Sequence, residues 1–261
     1  KVKKKEGRRF KLIVCEILFR ETCHCAARTG NIIDITFMGK GLHNIGDSKM
    51  SSALQEEIDQ AKTDRYEAIL LGYGLCNNGI QGLHASLPMV VPRAHDCITL
   101  LLGSKEKYRA YFDKNPGTYF QSTGWMERDV DFYDGEISVM EQLGINKSFQ
   151  DYVEKYGEEN ARYIMETLGD GLRNYSKLAY IDTGIGEFPE YEKQSQEMAR
   201  QNNWEYEKLK GSYKLLMRLM EGDWDPKDFL VTEPGKTIQP TNDEGILATE
   251  GCACCRTTGA T

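Results

Sequence analysis

Cys15, Cys76 and Cys97 each stand near the end of a short apolar run, Cys76 and Cys97 after a glycine- or proline-marked turn. Thiolates are soft ligands, suited to zinc and to iron–sulfur clusters. Side chains able to move protons lie beside them: His95 and Asp96 adjoin Cys97, Glu16 follows Cys15, and His43 falls in the turn G-K-G-L-H-N-I-G-D. In the stretch Y-E-A-I-L-L-G-Y-G-L-C-N-N-G, the glycines Gly72, Gly74 and Gly79 leave the backbone free to approach a ligand closely. Cys23, His24 and Cys25 form a Cys-x-Cys segment that divides evenly between metal ligation and local packing.

These residues need elements that bring them together. Phe10 to Leu18, Ile32 to Met38, Ala68 to Leu71 and Met89 to Val91 read as strands, the last two short apolar runs suited to burial on both faces of a parallel sheet. Asp47 or Ser48 caps a helix running to about Lys62, with Met50, Leu54, Ile58 and Ala61 on one face. Strands alternating with helices predict an α/β fold with a parallel, doubly wound sheet and right-handed crossovers. In such sheets ligands sit beyond the carboxyl ends of the strands, where all three cysteines and His43 would meet. The run from Ile98 to Phe112 predicts one helix whose amino terminus lowers the pKa of Cys97.

The expected organisation is an N-terminal α/β portion over 10–125, helices inserted over 126–175, a second α/β portion over 176–240, and a tail over 241–261. Within the second portion, K-L-A-Y-I-D-T-G-I-G reads as a strand ending in Asp182-Thr183-Gly184, and D-F-L-V-T as the final strand. The tail lacks periodicity but carries Cys252, Cys254 and Cys255.

With 33 basic and 40 acidic residues, the formal charge of -7 gives no general attraction to nucleic acid or anionic membrane. The basic run Lys1 to Arg9 reads as a solvated tail. No apolar run approaches the ~20 residues needed to span a bilayer, and the amino terminus lacks the apolar core of a secretory signal. The expected location is therefore cytoplasmic, where eight cysteines serve as metal ligands, reactive thiols or buried small residues more readily than as a disulfide framework.

The segments C-E-I-L-F-R-E, G-Y-G-L-C-N-N-G, V-V-P-R-A-H-D-C-I-T-L-L-L-G-S and P-G-T-Y-F-Q-S-T-G-W, with D-T-G and L-M-E-G-D-W-D-P-K-D-F-L-V-T-E-P-G further on, resemble the family catalogued as domain of unknown function 1638. The resemblance runs over about residues 10–240, with Cys15, Cys76, His95, Asp96 and Cys97 as the matching site residues. It implies one-carbon or metal-cofactor chemistry, because the family occurs in methanogens and other anaerobes, often among corrinoid-dependent methyl-transfer proteins.

The leading expectation is an enzyme whose Cys15, Cys76 and Cys97 hold a [4Fe-4S] cluster, with one iron open to a small-molecule substrate. Zinc on the same cysteines plus His43 or His95 is the alternative, giving thiol activation or a partner for a corrinoid protein or methyltransferase. A non-enzymatic metallochaperone using the cysteine-rich tail is a third, and cysteines buried without metal the bland one.

Overall fold

The structure is a computed structural model; it describes residues 7–44, 47–128 and 174–250, with Val153, Gly157 and Glu158 between them. The fold is α/β. Its main sheet has the order β2-β1-β3-β4-β8, where β1 is Arg9–Cys15, β2 Ile32–Met38, β3 Ala68–Gly72, β4 Met89–Pro92 and β8 Phe229–Thr232. The first four strands run parallel, and β8 closes the edge antiparallel to β4, with Met89 opposite Thr232. Every residue of β3 and β4 is buried, the pattern of central strands covered on both faces.

Helix α1 (Phe19–Ala26) links β1 to β2, and α2 (Asp47–Asp59) links β2 to β3. The two crossovers lead in opposite directions from β1, so right-handed connections set their helices on opposite faces. On the α1 side, α7 (Lys214–Glu221) lays Leu215, Leu216, Leu219 and Met220 against α1, β3 and β4.

Gly103 splits the single helix expected after Cys97. It adopts φ 77° and ends α3 (Cys97–Leu102), after which Ser104 caps α4 (Lys105–Lys114) by accepting from the Lys107 N–H at 3.2 Å.

A second, wholly parallel sheet has the order β5-β6-β7, with β5 at Thr118–Ser122, β6 at Lys177–Asp182 and β7 at Glu205–Lys210. Helix α5 (Thr123–Glu127) follows β5, and α6 (Pro189–Gln201) lies between β6 and β7. The segments interleave in space: β5 joins the strands beyond residue 176, whereas β8 returns to the sheet of residues 9–92. Ile181 and Leu209 of the second sheet pack into the same core as β1, β3 and β4.

The strand at 228–232 is not the last. β9 (Thr237–Pro240) and β10 (Leu247–Glu250) form an antiparallel hairpin, so the segment read as an aperiodic tail contains a strand, β10. Arg93 anchors it by donating to the carbonyls of Pro226 at 2.8 Å, Gly245 at 2.7 Å, and Leu247. Cys252, Cys254 and Cys255, the run Lys1–Glu6 and the helices expected between 129 and 173 lie outside the described residues, save the three positions named above. Among the described residues, no helix is long and apolar enough to cross a membrane.

Candidate functional site

The strand order reverses direction between β1 and β3, which makes the crevice beyond their carboxyl ends the favoured ligand position of an open parallel sheet. Cys15 is the last residue of β1, Cys76 lies in the loop after β3, and Cys97 opens α3 after β4. The β3 and β4 loops are joined by backbone bonds, Leu75 N–H to the Ala94 carbonyl and Cys76 N–H to that of His95, both 2.8 Å. That pairing carries the two thiols forward together. Cys15 and Cys76 are buried, while Cys97 stays partly open.

Cys76 itself is held at φ 46°, and Asn77 and Asn78 follow at 54° and 67°. Asparagine tolerates this left-handed region, but a cysteine there costs about 1–2 kcal/mol and persists only where its surroundings impose it. Such strain collects at functional sites.

Burial sets the electrostatics of the three thiols. It pushes Cys15 up to about 12, with Glu16 adding to the rise, while the Ile17 backbone, the Tyr73 hydroxyl and the Lys40 charge oppose it. Cys76 is raised by burial, then by Cys15 and Asp96, against hydrogen bonds from the backbone of Gly74 and Cys97. Cys97 is raised well above its ordinary value by burial, then by Asp96, Cys76 and Cys15. The lowering expected from a helix amino terminus is overturned: α3 has only six residues, and Asp96 takes the N–H groups of Ile98 at 3.0 Å and Thr99 at 3.4 Å. Cys15 thus adds to the rise of Cys76, and both add to that of Cys97, while Cys15 and Cys76 each receive hydrogen bonds from neighbouring residues.

The other expected residues divide by position. Asp96 is the cap of α3 and accepts from the Tyr108 hydroxyl at 3.0 Å; burial raises its pKa in spite of those bonds. His95 is exposed, and its ring borders a crevice of ≈ 480 Å³ whose walls include Cys76, Cys97, Phe120 and Trp125. Glu16 turns away, accepting the Lys40 N–H at 2.6 Å and pairing with Arg128 at 3.9 Å. His43 lies in a turn of 3-10 helix at Lys40–Asn44, with its side chain outside the described residues.

The three glycines approach protein where a ligand was expected. A Cβ at Gly72 would strike the Val14 side chain, one at Gly74 would lie 2.6 Å from Asp96 N, and one at Gly79 would strike Met50 Sδ. Cys23 and Cys25 do not form a chelating pair. Residues two apart on a helix face different ways, so Cys23 is exposed while Cys25 is buried against the Tyr213 carbonyl at 3.8 Å.

Five residues joined the site without a sequence signal. Lys40, only 7 % exposed, holds its ammonium 4.8 Å from the Trp125 ring. Phe120 and Trp125 arrive from β5 and α5, Tyr73 meets Cys15, and Tyr108 meets Asp96. Trp125, Phe120, Tyr73 and Tyr108 are apolar-periodic positions whose long-range partners no spacing reveals, and Lys40 reads as a turn residue.

Three soft donors on three separate strand ends, with protein hydrogen bonds at Cys15 and Cys76, suit a thiolate-ligated cluster. Among the described residues, no group of three or more His, Cys, Asp or Glu could hold a metal ion as it stands.

Neither the curated proteins nor the solved structures gave a match. The family model described as "Protein of unknown function (DUF1638)" matches residues 37–220, a span that holds Cys76, His95, Asp96 and Cys97 and begins after Cys15. That span is more than half of the chain, and the chain belongs to this family.

Proposed function

We propose that the crevice beyond β1, β3 and β4 is an iron–sulfur centre held by Cys15, Cys76 and Cys97 and open on the Cys97 side to a small substrate. The observation that carries this reading is the placing of three cysteines at the ends of three adjacent parallel strands at the reversal point of the sheet, with the Cys76 and Cys97 loops tied by the Leu75–Ala94 and Cys76–His95 backbone bonds. A cluster suits them better than one zinc ion, because each cysteine of a cluster meets a different iron and the sulfurs need not surround one point. When bound, the cluster's uncommitted iron supplies a Lewis acid.

The chain's own residues do the rest. Cys15 and Cys76 are shielded from water, and Lys40 brings a buried cation to offset thiolate charge. Asp96 fixes the start of α3 and with it Cys97. His95, exposed on the crevice wall, gives or takes a proton at the substrate. Phe120 and Trp125 limit water on the opposite wall. This arrangement favours a metal-dependent transferase or lyase, and the family resemblance directs the first assay to methyl transfer with a corrinoid protein. A thiol-dependent centre fits a reducing compartment, so we place the protein in the cytoplasm.

The test is anaerobic purification and reconstitution with iron and sulfide. A brown protein absorbing near ~400 nm supports the cluster. Serine at Cys15, Cys76 or Cys97 should abolish that colour. A colourless protein with one zinc per chain would replace the cluster with zinc, and full iron retention in all three serine variants would remove the centre altogether.

A further inference from the structure

His95 borders a second cavity, of ≈ 490 Å³, between α4 and the loop at 241–246. Its size suits a small ligand. Helix α4 gives this cavity two stripes at helical spacing: Tyr108 and Phe112 on one, Lys105 and Arg109 on the other. Phe112 is 50 % exposed, unusual for a phenylalanine with a core beneath it. Lys105 is a strut, donating to the carbonyls of Lys227 at 2.9 Å and Glu244 at 3.0 Å, and so joins the helix wall to the loop wall. Arg109 is 72 % exposed and pairs only at 3.9 Å with Asp113, which lines the same wall, while Glu106 there is engaged by the Ser104 hydroxyl at 2.8 Å and by Lys227 at 3.5 Å.

The facing loop carries Asp243 and Glu244. Asp243 is held ionised by the Thr241 hydroxyl and the Gly245 N–H, which lower its pKa. Deeper in, Thr99 is fully buried, lines the cavity, and has a hydroxyl with no hydrogen-bond partner among the described residues. A buried hydroxyl left unpaired costs free energy, which a ligand's polar group would recover.

With Glu106 already engaged by Ser104 and Lys227, the helix wall offers the Arg109 guanidinium, the loop wall the carboxylates of Asp243 and Glu244, and Tyr108 and Phe112 an aromatic floor, partners for both signs of charge and an apolar body. We infer that this cavity binds a zwitterionic amino acid with an apolar side chain, its carboxylate at Arg109, its ammonium at Asp243 and Glu244, and its body on Tyr108 and Phe112. His95 borders this cavity and the thiol crevice alike, so the two sites adjoin at that residue. The inference rests on the cavity alone and stands whether or not a cluster is present.

Isothermal titration of the full chain, with and without reconstituted iron, compares L-leucine, leucine methyl ester and N-acetylleucine. Leucine should bind at least about tenfold more tightly than either derivative, a margin of about 1.4 kcal/mol. Replacing exposed Arg109 (R109A) should weaken leucine about tenfold and leave the ester, which lacks a carboxylate, unchanged. Asp243→Asn should do the reverse, weakening leucine and sparing N-acetylleucine. Equal binding of the three probes, or no heat from leucine at millimolar concentration, overturns the assignment. So does an R109A chain that loses leucine and ester equally.

Discussion

Gly74 touches the backbone of Asp96 so closely that a methyl group on it would lie 2.6 Å from Asp96 N and 2.7 Å from its Cα. The loops bearing Cys76 and Cys97 are therefore locked face to face at the residue before each thiol's own neighbourhood begins. Gly74→Ala should push them apart and destabilise the chain by about 1–3 kcal/mol. Urea unfolding measures the loss, and faster labelling of Cys76 by a thiol reagent shows its location. An unchanged midpoint would mean that the loops separate freely.

At Cys76 the backbone, not the side chain, is under load. Glycine takes φ 46° without steric cost, so Cys76→Gly should be more stable than Cys76→Ala by about 1 kcal/mol, against the usual order. Thermal unfolding of the two metal-free variants gives the comparison, and alanine proving the better residue would show that the left-handed turn relaxes.

The thiols predict how metal loading responds to pH. Each has a pKa raised by burial, Cys15 to about 12, so near neutrality all three carry protons that ligation must displace. Loading should release protons and its apparent affinity should climb as pH rises. An indicator dye in weakly buffered anaerobic solution reads the release; uptake of iron without proton release would mean that other groups are the ligands. Replacing His95 with alanine should leave the metal bound and slow turnover, since that ring stands on the crevice wall.

Tyr108→Phe removes the hydroxyl that Asp96 accepts at 3.0 Å. That bond holds the Asp96 pKa down against burial, so its loss should move the carboxyl titration seen by carbon NMR to higher pH. No movement would show that the cap bonds to Ile98 and Thr99 alone set the carboxyl.

Glu21 of α1 is 5 % exposed, accepts from the Thr183 hydroxyl at 2.6 Å, and has a second oxygen with no hydrogen-bond partner among the described residues. Burial raises its pKa above 4.5, with Glu127 adding to the rise. The unfolded chain gives up this proton first, so the group's contribution is fullest below pH 4.5 and is lost as pH rises through the folded value. Glu21→Gln should abolish that fall, making the variant relatively more stable at pH 7 than at pH 4. Parallel urea curves for the two chains at both pH values would contradict this.

The central strands were legible because β3 and β4 are uninterrupted apolar runs ended by turn residues, and the carboxyl-end rule then put Cys76 and Cys97 in one crevice. What sequence could not carry was pairing between distant segments. β5 reads equally well as a neighbour of β4, and only its contact with β6 assigns it to the other sheet. Gly72, Gly74 and Gly79 are required, but the residues they make room for are Val14, Asp96 and Met50, distant in the chain. The helix after Cys97 was misread for a local reason: Gly103 and Ser104 form a stop and a start side by side, and the periodicity on both sides masks them.

The late return of β8 bears on how the chain is made. Thr232 bonds to the Met89 carbonyl at 2.8 Å across 143 positions, so β4 stands as a bare, apolar edge until everything between has been synthesised. A nascent chain halted before residue 229 would offer that edge to other chains, and the main sheet completes only after the second has had time to form. Chaperone demand during synthesis, rather than the stability of the finished fold, is where substitutions in F-L-V-T would be felt first.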